Sequence, residues 1–355
     1  MKPIDLPEAP RVLVVALRRL GDVLLTTPLV RSIKRAFPAG AIDMLVFAGT
    51  EGILAGNPDL GTIYTIPQRS RAIETVALAL RLYKRYDLAL SAQTGDRPTF
   101  FAVLAGRQSA GPVEAAGAAA AVKRWALSRC YVGDRRAHRV RDILRLAETI
   151  GIPAHAEIVP PAGGTRPAPA PPQPYAVLHA APMFKYKRWT AAGWRELAAA
   201  LRERGLGAVV TGAAADRAYL DTVFDDSAVV RLDGRLAWPD LSALIADAAV
   251  YIGPDTAITH LAAACGTPTV ALYGPTDPRL WGPWPRGGLE PPWAAAGTIQ
   301  RRGNVWLVQN PLPCLPCQLE GCERRLDSHS QCLDELATAQ VVAAVDQALA
   351  VCQAA

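Results

Sequence analysis

Between Pro160 and Pro174 the chain reads Pro-Pro-Ala-Gly-Gly-Thr-Arg-Pro-Ala-Pro-Ala-Pro-Pro-Gln-Pro. Proline fixes φ and carries no amide hydrogen, so seven prolines in fifteen residues sustain neither a helix nor a central strand. Residues 161–174 are therefore expected as a linker that divides the 355 residues into an amino-terminal domain, 1–160, and a carboxyl-terminal domain, 175–355. With 50% hydrophobic and 20% charged residues, the chain has apolar material enough for two cores.

On both sides of the linker, strand-like runs alternate with helical spacing. Arg11–Leu17 is a β-branched, apolar run of the kind buried in parallel sheets. A helix is predicted over Val23–Phe37, stopped by Pro38 and Gly40 before a strand at Ile42–Phe47. A helix at Arg71–Arg85, a strand at Leu88–Ala92 and a helix at Arg139–Ile150 follow. Beyond the linker the expected order is strand Tyr175–His179, helix Ala191–Arg204, strand Ala208–Thr211, helix Asp216–Phe224 and helix Asp240–Ala248. Strand Val250–Gly253, helix Thr256–Cys265 and strand Thr269–Tyr273 complete it. Such alternation implies an α/β fold with parallel sheets covered by helices.

Met1–Pro10 has no apolar run behind a basic head, and no stretch of about 18 uncharged apolar residues occurs, so a cytoplasmic protein is expected. Seven cysteines, four of them between Cys314 and Cys332, suit reduced thiols or a metal site better than a secreted disulfide framework. A net charge of +6 favours anionic partners. Arg135, Arg136, Arg139 and Arg141 lack interleaved aromatics and read as a solvated basic face, so no nucleic-acid partner is expected.

Three constellations carry chemistry. Arg18-Arg19-Leu20-Gly21-Asp22 joins a strand's carboxyl end to a helix start, where open α/β sheets bind ligands. There Gly21 permits close backbone approach, and Asp22 is either a helix cap or a general base. Gly253-Pro254-Asp255-Thr256-Ala257-Ile258-Thr259-His260 repeats the strand-to-helix step. Thr256 and His260 share a helix face near free amides that favour phosphate, or they are a cap and a satisfied histidine. His179–Trp189 places Lys185, Lys187 and Arg188 in four consecutive positions after a strand. Such cations can offset charge on a departing diphosphate, Lys187 first among them, unless the loop is merely solvated. There is no Asp-x-Asp pair, no Gly-x-Gly-x-x-Gly after a strand and no Walker A loop. A dinucleotide-dependent oxidoreductase is thereby made improbable.

The stretches Leu20–Pro28, Lys187-Arg188-Trp189, Thr211-Gly212 with Asp216, Asp255–Ala264 and Gly266–Pro278 together resemble the lipopolysaccharide heptosyltransferases of glycosyltransferase family 9 over most of the chain. Ile42–Leu45 and Leu280–Trp284 look closest to the third core heptosyltransferase. The resemblance implies a GT-B architecture, two Rossmann-like domains with parallel sheets facing a central cleft, the acceptor on the first and the nucleotide sugar on the second. It implies inverting transfer of heptose from ADP-L-glycero-D-manno-heptose to the lipopolysaccharide inner core or a lipid A-linked acceptor, at the inner face of the inner membrane. By position it makes Asp22 the base and Lys187 the lysine at the donor phosphates. Asp255, Thr256, Ala257 and His260 would hold sugar and diphosphate, with Gly21, Thr211, Gly212 and Asp216 also on the donor side. Ala180, Ala181 and Pro182 stand where the family often has Thr or Ser, and Arg19 replaces the commoner Ser or Thr before Leu-Gly-Asp. Another nucleotide sugar, a protein acceptor or a non-catalytic nucleotide-sugar binder are the other readings. No cofactor is required for transfer. Cys314, Cys317, Cys322 and Cys332 have thiols enough for a structural zinc or iron, as in some protein-modifying heptosyltransferases, or are ordinary reduced cysteines.

Overall fold

The computed structural model describes residues 4–167, 173–224 and 229–353. It divides into two compact units, Met1–Val159 and Pro160–Ala355. Residues 168–172 of the expected linker lie outside the described residues. The stretch just before them packs within the second unit, where Thr165 N donates to Asp240 Oδ1 at 3.1 Å and Arg166 pairs with Asp247 at 3.3 Å.

The first unit runs β1 (Arg11–Ala16), α1 (Leu20–Leu24), α2 (Thr27–Ala36), β2 (Ala41–Phe47), β3 (Ile63–Ile66) and α3 (Ala72–Leu82). It continues with β4 (Tyr86–Ser91), α4 (Asp96–Ala105), β5 (Gly106–Val113), α5 (Ala118–Ala126), β6 (Arg129–Val132) and α6 (Arg139–Ile150). All six strands are parallel, in the order β3-β2-β1-β4-β5-β6. The chain leaves β1 toward β2 and β3, then crosses back to β4 on the other side, so the sheet changes direction between β1 and β4. A crevice at the strands' carboxyl ends is expected at such a reversal.

The single helix predicted over Val23–Phe37 is two helices. Pro28 has no N–H to give the Leu24 carbonyl; the Thr27 hydroxyl donates to it instead at 2.8 Å, and the Thr26 hydroxyl takes the Asp22 carbonyl at 2.8 Å. Proline is well tolerated in a first turn, so Pro28 opens α2 as it closes α1.

The second unit runs β7 (Tyr175–Leu178), α7 (Ala191–Glu203), β8 (Gly207–Val210), α8 (Arg217–Val223), β9 (Val229–Arg231), α9 (Trp238–Ala246) and β10 (Val250–Pro254). Then come α10 (Ala257–Cys265), β11 (Thr269–Leu272), α11 (Pro278–Trp281), β12 (Ile299–Arg302), β13 (Val305–Val308), α12 (Gln331–Asp334) and α13 (Thr338–Gln353). Its sheet, β12-β13-β11-β10-β7-β8-β9, is parallel except for the hairpin β12–β13 and reverses direction between β7 and β10.

Trp194 anchors this unit's core with no exposed surface, its ring packed edge-on against Trp189 at 5.2 Å. A Cβ on Gly193 would lie 2.5 Å from the Trp189 ring, so the indole reaches the core only over a glycine. Trp194→Ala is expected to cost about 3–5 kcal/mol, seen as a lower urea midpoint at an unchanged slope.

Candidate active site

The Arg18–Asp22 loop leaves β1 at the first unit's reversal point. Asp22 is the third residue of α1, whose N-cap is Arg19, a residue that makes no side-chain capping hydrogen bond. Asp22 is thus not the N-cap residue, and its Oδ1 is buried without a hydrogen-bond partner. Arg139, the first residue of α6, brings its Nε to 3.6 Å from Asp22 Oδ1. Arg139 corrects the expectation of a solvated face: its side chain is only 7% exposed, and it donates to the Ala92 carbonyl at 2.8 Å beyond the end of β4. Burial lowers its pKa, opposed first by the Asp22 charge, and Asp142 adds a second carboxylate at 3.6 Å. Gln93, also past β4, spans the reversal by donating to the Leu17 carbonyl at 2.8 Å while its Oε1 is buried without a partner. Gly21 is half-buried beside Asp22. A carboxylate beside a buried guanidinium at a strand's carboxyl end can accept a proton from a hydroxyl.

The second unit builds an analogous place. The loop after β7 carries Lys187 to Asp255, just past β10, with Nζ 2.5 Å from Oδ2. Thr276 Oγ1 donates to the same oxygen at 2.6 Å, and the buried Tyr273 hydroxyl lies 3.3 Å from Oδ1 while donating to the Trp281 carbonyl at 2.7 Å. Burial works against charge on Asp255, but Lys187, His260 and Thr276 outweigh it and hold the carboxyl below its ordinary range. Thr256 caps α10, its hydroxyl accepting from Thr259 N at 3.4 Å, and Ala257 is the first helical residue. His260 is buried one turn into α10. Gly253 leaves room for the Tyr251 ring, whose hydroxyl would lie 2.2 Å from a Cβ there. That hydroxyl meets Thr259 Oγ1 at 3.1 Å and fixes the first turn of the helix. Lys187, Asp255, Thr256, Ala257 and His260 are thus brought together.

Thr211, Gly212 and Asp216 follow the adjacent strand β8. The Thr211 hydroxyl is turned inward, 3.2 Å from Nδ1 of the buried His179, whose pKa burial lowers to about 4. Asp216 accepts the Ala213 N–H at 2.8 Å, and a Cβ on Gly212 would press on Leu220 at 2.8 Å. Sequence reasoning assigned no role to Arg139, Gln93, Tyr273 or Thr276. Only Tyr273 and Thr276 lay in a motif that could have flagged them.

The four cysteines are all free, with Cys314 and Cys322 exposed and Cys332 buried. Burial, and then the neighbouring Cys317, Cys314 and Cys322, push the Cys332 thiol up to about 12. Among the described residues no three His, Cys, Asp or Glu side chains are grouped to hold a metal ion. The cysteines as placed do not fit a zinc or iron cage, and no step below passes through one.

Two Rossmann-like units each present polar groups at a reversal point, and one carries a lysine beside a helix amino end, an arrangement suited to a phosphorylated ligand. The profile of glycosyltransferase family 9 (heptosyltransferase) matches residues 75–287, and the chain belongs to this family of GT-B glycosyltransferases. It is 28% identical over 308 residues to lipopolysaccharide heptosyltransferase 3 of Escherichia coli, covering 74% of this chain and 83% of that protein. Its fold is similar to that of E. coli ADP-heptose lps heptosyltransferase II, with a TM-score of 0.73, 18% identity, and 97% and 99% of the two chains covered. The corresponding figures for E. coli heptosyltransferase WaaC with ADP are 0.68, 23%, and 85% and 93%. Among the described residues no helix is long and apolar enough to cross a membrane.

Proposed function

We propose that the protein transfers heptose from ADP-L-glycero-D-manno-heptose to the lipopolysaccharide inner core, working at the inner face of the inner membrane, with inversion at the anomeric carbon. The observation that carries the reading is the joining of Lys187, Asp255, Thr256 and His260 at the amino end of α10. The relatives' names supply the substrate class, lipopolysaccharide and ADP-heptose. In this reading the first unit, Met1–Val159, handles the acceptor and the second the donor. Asp22, oriented by Arg139, takes the proton of the acceptor hydroxyl. The freed oxygen attacks the anomeric carbon as its bond to the diphosphate breaks, and the electron pair leaves with ADP. Lys187 and the α10 amides meet the charge that grows on that diphosphate. Asp255, held by Lys187 and Thr276, shapes the sugar-phosphate pocket, with Thr211, Gly212 and Asp216 in the same unit on its nucleotide side, while Gly21 stands beside Asp22 in the first unit.

The test is incubation with ADP-heptose, GDP-mannose or a UDP-sugar and a heptose-deficient core acceptor, read by mass spectrometry and by the anomeric configuration of the product. One added heptose, from ADP-heptose alone and with inverted configuration, is expected. Transfer from another donor only, or onto protein only, would assign a different substrate within the family. Tight donor binding with no transfer to any acceptor would make the chain a binding protein.

A further inference from the structure

Of the eleven large apolar side chains exposed among the described residues, six lie on α3, α4 and α5, and a seventh, Tyr83, immediately follows α3. These three helices cover one face of the first unit's sheet. They join β3 to β4, β4 to β5 and β5 to β6, crossovers that all step in the same direction and, being right-handed, fall on the same side. Lys123 of α5 pairs with Asp96 of α4 at 2.9 Å, which ties neighbouring helices of the layer together. Along α3 and its C-cap the exposed large apolar residues are Ile73, Val76, Leu80 and Tyr83, at spacings of three, four and three, a stripe on a different side of the helix from buried Leu82. Leu80 is 74% exposed, Phe100 adds an aromatic edge on α4, and Trp125 on α5 is 88% exposed.

Cations surround this apolar surface. Arg69, Arg71, Arg81, Lys84 and Arg85 stand against the single carboxylate Glu74 between residues 69 and 85, and Arg124 flanks Trp125. All six are exposed. Glu74 is met by Arg71, and Lys123 meets both Asp96 and Glu114. Lys84 and Arg124 donate only to backbone carbonyls, which leaves their charge uncompensated.

We propose that the α3–α4–α5 face docks on a bilayer surface of anionic phospholipid, with Leu80, Tyr83, Phe100 and Trp125 entering the headgroup boundary and the arginines meeting lipid phosphates. Apolar and aromatic side chains interleaved with Lys and Arg are the composition of interfacial anchors, and Trp favours that depth. A second copy of this chain fits worse, because it would bring six cations against six. The proposal names the membrane contact of the lipid-linked acceptor reading and rests on it.

The test is co-sedimentation of the full chain with phosphatidylglycerol-containing vesicles or with pure phosphatidylcholine vesicles, with no donor or acceptor present. Wild type is expected to bind the anionic vesicles, with a blue shift of tryptophan emission, and to release them at high salt. Leu80→Ser with Trp125→Ser, and separately Arg81→Glu, are expected to weaken binding about tenfold or more. Circular dichroism and transfer to a soluble, de-acylated core acceptor should stay at wild-type level. Equal sedimentation of these variants, equal binding to neutral vesicles or no wild-type binding would overturn the proposal. So would a concentration-dependent dimer that the apolar substitutions dissolve without any effect on lipid. Failure here leaves transfer to the soluble acceptor intact, whereas absence of that transfer in wild type strikes the enzymatic reading alone.

Discussion

Asp22→Asn is expected to lower kcat by about 10²–10⁴-fold, the range that a positioned general base contributes. Asparagine keeps the shape of the carboxylate but accepts no proton at neutral pH. Arg139 retains Asp142 at 3.6 Å and the Ala92 carbonyl at 2.8 Å, so the fold should survive with one weakened contact. ADP affinity, measured by calorimetry, should be unchanged, because in this reading the base serves the acceptor alone. A variant that transfers heptose within about tenfold of wild type lies below the contribution of a general base and would remove Asp22 from that role.

Lys187→Ala should act on two quantities at once. Loss of the cation at the leaving diphosphate is expected to lower kcat/KM by about 10²–10³-fold, as for removal of one preorganised donor to a developing anion. The same change strands Asp255, whose side chain is 9% exposed, and removing one partner of a buried pair costs up to about 3–5 kcal/mol. The double variant Lys187→Ala, Asp255→Asn separates the two effects. It should regain most of the thermal stability and none of the activity. Recovery of both together would reduce Lys187 to a structural partner of Asp255.

Much of this architecture is legible in the residues. The apolar runs that open each half became the central strands β1 and β7, and α6 spans Arg139–Ile150 as its spacing predicts. Strand β5 could not be read. Its sequence Gly-Arg-Gln-Ser-Ala-Gly-Pro-Val has little β propensity, yet it pairs with both β4 and β6. Small residues stand there because the neighbouring strand comes close: a Cβ on Gly106 would lie 2.7 Å from Ala89 N, and one on Gly111 2.9 Å from the Ser91 Cβ. The partners of the candidate base and of Asp255 were hidden for another reason. Arg139 lies far along the chain from Asp22 and belongs to a run of arginines that looks uniformly solvated. Only the return of the chain from β6 into α6 buries this one member of the run. Thr276 and Tyr273 reach Asp255 from beyond β11, a pairing that no local spacing encodes.

The Lys187–Asp255 pair also bears on discrimination among small anions. Within the protein alone the ammonium is already neutralised at 2.5 Å, so it does not stand as a bare attractor for inorganic phosphate or a loose nucleotide. An incoming anion has to compete with a built-in carboxylate, and a ligand that also engages the α10 amides and a sugar pocket competes far better than a simple ion. Selectivity against the crowded anion background of a cell would then follow from a contact whose first appearance is that of plain scaffolding.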